Sequence, residues 1–170
     1  MKVINKGNGI FTVESECNGD TTVRESLFYK NLEAKEIHFP EGVTEIDRES
    51  MPYCYNLEKV YMPSTVKKLG SGIFRGVISR VIEIYYNGTS QQFKALASPV
   101  VETVTVNVSG QYDHYPYYNS DGSYTKEEKR ECSFDATCAE IEVICNDGIK
   151  LYYGFSNYEK KKQQWGWISK

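Results

Sequence analysis

Hydrophobic positions recur along this chain at a fixed offset. Shifted by 23 residues, Ile37-His38-Phe39-Pro40 falls on Val60-Tyr61-Met62-Pro63, and the same shift puts Val43 on Val66, Ile46 on Leu69 and Met51 on Phe74. Sliding back by 23 sets Val23 on Ile46 and Phe28 on Met51, and sliding on by 24 begins a further copy at Ile84-Tyr85-Tyr86-Asn87. Apolar meets apolar at every step. A period in the twenties marks a solenoid with one short strand per turn, in which neighbouring turns complete one another's core. In each turn the strand ends at Pro40 or Pro63, where a missing amide donor is tolerated. Met51, Cys54 and Leu57 then recur at helical spacing and are expected to bury one face of a short turn, which makes Cys54 a small core residue.

On either side of the repeat the pattern loosens. Residues 1–32 read as an irregular first turn: Ile10-Phe11-Thr12-Val13 alternates like a strand, and Glu14, Glu16, Asn18 and Asp20 supply the polar outer side that an end turn requires. Beyond the repeat, residues 100–108 alternate apolar and polar as a half-buried strand, while 126–131 is a charged run without an apolar face and reads as a solvated loop or turn. Asn146-Asp147-Gly148 between two apolar-alternating runs predicts a hairpin. Trp165-Gly166-Trp167-Ile168 near the end needs apolar surface to cover it.

Ile37-x-Phe39-Pro40-x-x-Val43-x-x-Ile46, followed by Ser50-Met51-x-x-Cys54-x-x-Leu57, resembles the BspA-like leucine-rich repeat, with Met51 in place of Phe and Ser50 in place of Ala. The next copy keeps Phe74 and Gly76 but carries Val77 and Arg80 at the Cys and Leu positions. Tyr86-Asn87-Gly88-Thr89 is similar to the family's terminal segment, and Cys145-Asn146-Asp147-Gly148 to its closing Cys-x-Asp-Gly strand. The resemblance implies a β-rich α/β solenoid, a short leucine-rich-repeat stack with an elaborated β C-terminal cap. It divides the chain into a solenoid with its N-terminal capping turn over 1–97 and a region over 98–170 that holds the cap, with about residues 98–137 as an insertion within it.

Length and composition narrow the function. With 170 residues, 40% hydrophobic and 25% charged, the chain suits one compact domain, or one with a sizeable appendage, and a disordered or collagen-like polymer is not expected. A net charge of −3 gives the whole molecule no pull toward phosphates, so nucleic acid is not expected as a partner. The sign is uneven: Lys160, Lys161, Lys162 and Lys170 make the last fifteen residues basic. No apolar h-region follows Met1-Lys2-Val3-Ile4 and no run is long enough to span a bilayer, so as written the chain is expected in the cytoplasm without a membrane role, or secreted or at the surface if a signal has been trimmed. Five cysteines, odd in number and unclustered, favour reduced thiols; Cys132 and Cys138 lack CxxC spacing and a matching His pair, so neither a metal nor a cofactor is expected.

No catalytic constellation emerges. His38 and His114 are the only histidines, neither has a Ser or Cys beside it in a recognisable motif, and Gly70-Ser71-Gly72 lacks the frame and the Lys-Ser/Thr of a phosphate loop. The chain is therefore expected to be non-enzymatic and to act by binding. Strand alternation turns Glu36 and His38 outward if Ile37 and Phe39 are buried, and stacking the turns predicts two outward ladders, Glu36–Lys59–Glu83 by charge and His38–Tyr61–Tyr85 by ring. The plainer reading of both is cross-strand stabilisation alone. A second candidate surface is the loop carrying Tyr112, Tyr115, Tyr117 and Tyr118 among Ser, Asn, Gly and Asp, a paratope-like mixture; fourteen tyrosines in all fit either interfaces or strands. Two functional readings follow. One is an intracellular binder or inhibitor of a partner protein, of the kind a phage or mobile element encodes. The other, implied by the family's many surface members, is a fragment of a surface or secreted adhesin.

Overall fold

The computed structural model describes residues 1–15, 19–77, 81–108, 124–135 and 140–154. Its main sheet has seven strands in the order β1 (Lys2–Gly7), β2 (Ile10–Glu14), β4 (Glu36–His38), β6 (Lys59–Met62), β8 (Val81–Tyr86), β11 (Glu140–Cys145) and β12 (Lys150–Tyr153). The five inner strands are parallel, one per repeat, with Ile37 beside Val60, Val60 beside Ile84 and Ile84 beside Val143. A second parallel sheet joins β3 (Thr22–Val23), β5 (Glu45–Ile46) and β7 (Lys68–Leu69). Turn segments close the third side of each repeat and bond backbone to backbone: Phe28 N–H donates to Ser50 O at 3.0 Å and Met51 N–H to Ile73 O at 2.9 Å. The strand-rich chain with its parallel sheet fits a repeat fold.

The core lies between these sides. Val23, Ile37, Ile46, Met51, Cys54, Leu57, Val60 and Phe74 are all fully buried, in the phase set by the 23-residue offset. Cys54 Sγ donates to Phe28 O at 3.0 Å, and burial pushes its thiol up to about 11, so it is an inert core group. Ser50, where the repeat consensus has Ala, is buried with its Oγ unpartnered among the described residues.

Three features depart from the pattern-based reading. The N-terminal side is closed by a strand rather than by acidic residues alone: β1 runs antiparallel to β2, reversed through Asn8 and Gly9 with φ of 53° and 80°. These are the left-handed angles an Asn-Gly hairpin turn demands. Glu14 lies on β2 opposite Lys2, Asp20 pairs with the Met1 ammonium, and Glu16 and Asn18 lie outside the described residues.

The 126–131 run, expected as a loop or turn, lies within strand β10 (Tyr124–Cys132), paired antiparallel with β9 (Val100–Val108) from Tyr124 opposite Val108 to Cys132 opposite Val100. Its backbone bonds are satisfied by β9, so pairing overrides a local composition that lacks an apolar face.

A short helix, α1 (Ser90–Leu96), follows β8. Thr89 and Gln92 form a capping box, and Asp147 in the β11–β12 turn accepts from Ser90 N and Oγ at 2.9 and 2.8 Å. Those bonds hold the Asp147 carboxyl below its usual range. After the β9–β10 hairpin the chain rejoins the stack at Ser133 and Phe134, whose carbonyls accept from Gly72 and Ile73 at 3.0 and 3.1 Å. The ladder of the third side thus continues across the hairpin. Phe134 then packs on Phe93 and Tyr153.

Candidate protein-binding surface

Outward side chains of the main sheet are positioned by alternation and register alone. Ile37, Val60 and Ile84 are buried, so their neighbours Glu36 and His38, Lys59 and Tyr61, Glu83 and Tyr85 face out, each half-buried by the strand beside it. Register then aligns them: Glu36 with Lys59 and Lys59 with Glu83, His38 with Tyr61 and Tyr61 with Tyr85. The rings stack nearly parallel, with centroids 4.1 Å apart and planes 16° apart for His38–Tyr61, and 4.9 Å and 11° for Tyr61–Tyr85. Strand spacing of about 4.8 Å is the reason, since it brings flat rings on successive strands to stacking distance.

Acidic side chains brace this column. Lys59 Nζ lies 3.7 Å from Glu36, whose other oxygen is 3.3 Å from His38 Nε2. Tyr85 donates to Glu83 at 2.7 Å, and that bond, next to the carboxylate charge, pushes the phenol up to about 12. Both ladders run further than the repeat offset indicates. Glu142 on β11 stands opposite Glu83, a like-charge pair, and Ile144 opposite Tyr85. Lys150 on β12 binds Glu142 at 2.6 Å, and its ammonium is held above its usual range by that contact first and also by the field of Glu83. One lysine thus relieves two carboxylates.

Where β4, β6, β8 and β11 end, the surface opens into a cleft of about 430 Å³. Tyr61 and Tyr85 form one wall with Ile144; Phe39, Met62, Pro63 and Tyr86 form the base; Glu41, Asn87 and Asn146 stand at the rim. Asn87 Nδ2 donates to Glu41 Oε1 at 3.3 Å. The rim residues were outside the reach of strand alternation because they follow the strands, although Asn87 and Asn146 belong to the Tyr-Asn-Gly-Thr and Cys-Asn-Asp-Gly segments.

A family model of the BspA type leucine rich repeat region (6 copies) matches residues 13–109. The chain belongs to the BspA-type leucine-rich repeat family. Neither a curated protein nor a solved structure matches it. Leucine-rich repeats commonly mediate protein–protein binding and are generally non-enzymatic, which makes this BspA-type region a protein-interaction module.

A second aromatic group in the BspA-type repeat escaped the sequence pattern. Tyr29 and Tyr55 are 53% and 46% exposed on the turn side, and Tyr53 lies between them at 5.9 and 6.2 Å in edge-on geometry. Lys30 Nζ sits 5.3 Å from the Tyr29 ring. The 23-residue offset does not reveal the group, because only Lys30 and Tyr53 coincide under it. Tyr112, Tyr115, Tyr117 and Tyr118 lie outside the described residues, as do His114, the basic tail and Trp165 and Trp167. Among the described residues no group of three His, Cys, Asp or Glu is placed to hold a metal ion, and no helix is long and apolar enough to cross a membrane.

Proposed function

We propose that this protein is a short leucine-rich-repeat solenoid over 1–97, closed by an elaborated C-terminal cap within 98–170, that captures a partner protein on the open face of its main sheet. The observation that carries this reading is the His38–Tyr61–Tyr85 column: three rings held rigid by mutual stacking, with their edges outward and acids alongside. Rigid aromatic side chains lose little entropy on binding and dominate interface energetics. His38, held by the Glu36 carboxylate and stacked on Tyr61, is read as a packing and recognition group of this column rather than as a catalytic base.

On this reading the partner is blocked or tethered inside the cell, as by a small inhibitor encoded by a phage or mobile element. Free, buried thiols at Cys54 and Cys145 support a reducing compartment. The tyrosine-rich segment with Tyr112, Tyr115, Tyr117 and Tyr118 is proposed as an auxiliary contact. Affinity capture from native lysate tests the sheet face. Wild type and a Tyr29→Ala control are expected to retain the same protein, and Tyr61→Ala/Tyr85→Ala to lose it. The double variant should keep its circular dichroism spectrum and forfeit no more than about 1–2 kcal/mol of stability. Undiminished capture by the double variant would remove the sheet face as the site and turn attention to the tyrosine-rich segment.

A further inference from the structure

We propose that the cleft at the strand ends receives an arginine side chain of the partner protein, an inference that rests on the sheet-face reading above. At about 430 Å³ the cleft has room for one long side chain. Its base is apolar, with Met62 and Pro63 buried beneath the ends of the strands, and its wall is the outer part of the Tyr61 and Tyr85 rings. Among the described residues that line it, Glu41 alone carries charge.

Glu41 makes the occupant specific. Its carboxylate takes one hydrogen bond, from Asn87 Nδ2, and among the described residues it has no ion pair. With that amide donating to Glu41, the Asn87 carbonyl oxygen is left to accept. A carboxylate and an amide oxygen above an apolar, ring-lined base match a guanidinium, whose planar fork binds carboxylate in a bidentate manner while its weakly hydrated faces rest on rings. Lysine offers a point charge and no plane. An apolar side chain would dry the Glu41 carboxylate with nothing to pair it, and an acidic one would meet like charge.

The adjoining face carries the same sign. Of the four strands that run to the cleft, β4, β8 and β11 carry Glu36, Glu83, Glu140 and Glu142, against Lys59 on β6 and Lys150 on the neighbouring β12. A partner segment centred on arginine would be drawn along that face and oriented by it.

The test titrates the full chain with N-acetyl-arginine methylamide, following the Met62 methyl and the Tyr61 and Tyr85 ring signals by NMR. Saturable, millimolar shifts are expected with this probe. A loss of tenfold or more is expected with its neutral isostere N-acetyl-citrulline methylamide, with N-acetyl-norleucine methylamide, and in Glu41→Gln. Glu45→Gln, outside the cleft, should titrate like wild type. Equal binding of the arginine and citrulline or norleucine probes, or undiminished binding by Glu41→Gln, would overturn the proposal. Failure here is separable from failure of the sheet face. Partner capture that needs Tyr61 and Tyr85 but ignores Glu41 sinks only the arginine cleft, whereas capture indifferent to both rings sinks the surface on which it rests.

Discussion

The sheet side and the turn side of the repeats each display tyrosines, by opposite means. On the sheet, His38, Tyr61 and Tyr85 stand on extended backbone and stack face to face because register puts them in line. On the turn side the rings meet edge-on, and the backbone is bent into left-handed corners that recur with the repeat. Ser26, Glu49 and Gly72 have φ of 60°, 44° and 55°; Lys30, Tyr53 and Gly76 have φ of 50°, 60° and 81°. Of these three described repeats, the third alone fills both corners with glycine. A bulky residue at positive φ is strained, by about 1–3 kcal/mol, so the turn side holds its tyrosine at a backbone cost that the sheet side does not incur. An aromatic surface built on a sheet is therefore rigid at no conformational expense, whereas one built on corners competes with the repeat's own closure.

Glycine substitutions separate these two modes most sharply. Gly70 packs where the turn of one repeat crosses the next, and a Cβ there would lie 2.2 Å from the Arg48 backbone nitrogen. Because the obstacle is backbone, Gly70→Ala is expected to cost about 3 kcal/mol or more by thermal denaturation. Gly42→Ala meets no atom within 4 Å and should cost about 1 kcal/mol, from its φ of 98° alone. Equal losses at the two positions would mean that the repeats do not touch backbone to backbone.

Smaller effects should differ in sign between the sides. Ser26 is exposed at φ 60°, so Ser26→Gly should raise stability by about 0.5–1 kcal/mol. His38→Gly should lower it by about 1 kcal/mol or more, since it removes a stacked ring and loosens an extended strand. Chemical denaturation of both variants checks this, and a stabilising His38→Gly would deny the sheet column any packing role.

The subtlest readout is the titration of Tyr85. Its phenol is pushed up to about 12 by the bond to Glu83, so the neutral form is the one the fold favours. The stability this contributes is complete below the unfolded value of about 10 and is lost as pH rises through 10 to 12. Glu83→Gln removes the carboxylate charge and should return the Tyr85 midpoint toward 10, seen by NMR of ring-labelled tyrosine. An unmoved midpoint would detach Tyr85 from the acidic ladder.

Much of this molecule could be read from its periodicity. The buried phase of Ile37, Val60 and Ile84 and the outward alignment of His38, Tyr61 and Tyr85 follow from two local regularities, the 23-to-24-residue offset and the alternation of a strand, and each repeat carries both within itself. Two local signals for the remaining elements were also present, Asn8-Gly9 for the first hairpin and Thr89-x-x-Gln92 for α1, but neither is part of the repeat.

Tertiary structure alone decided the rest. Nothing near Ser133-Phe134 announces that their carbonyls will extend a ladder last used at Gly72 and Ile73, and nothing in 126–131 announces a strand without β9 beside it. The cleft likewise joins Glu41 to Asn87 and Asn146, three residues on separate connections. Side-chain alternation is a property of one strand, but which strand ends converge is set by long-range pairing, whose free energy belongs to the assembled sheet and to no single segment of the sequence.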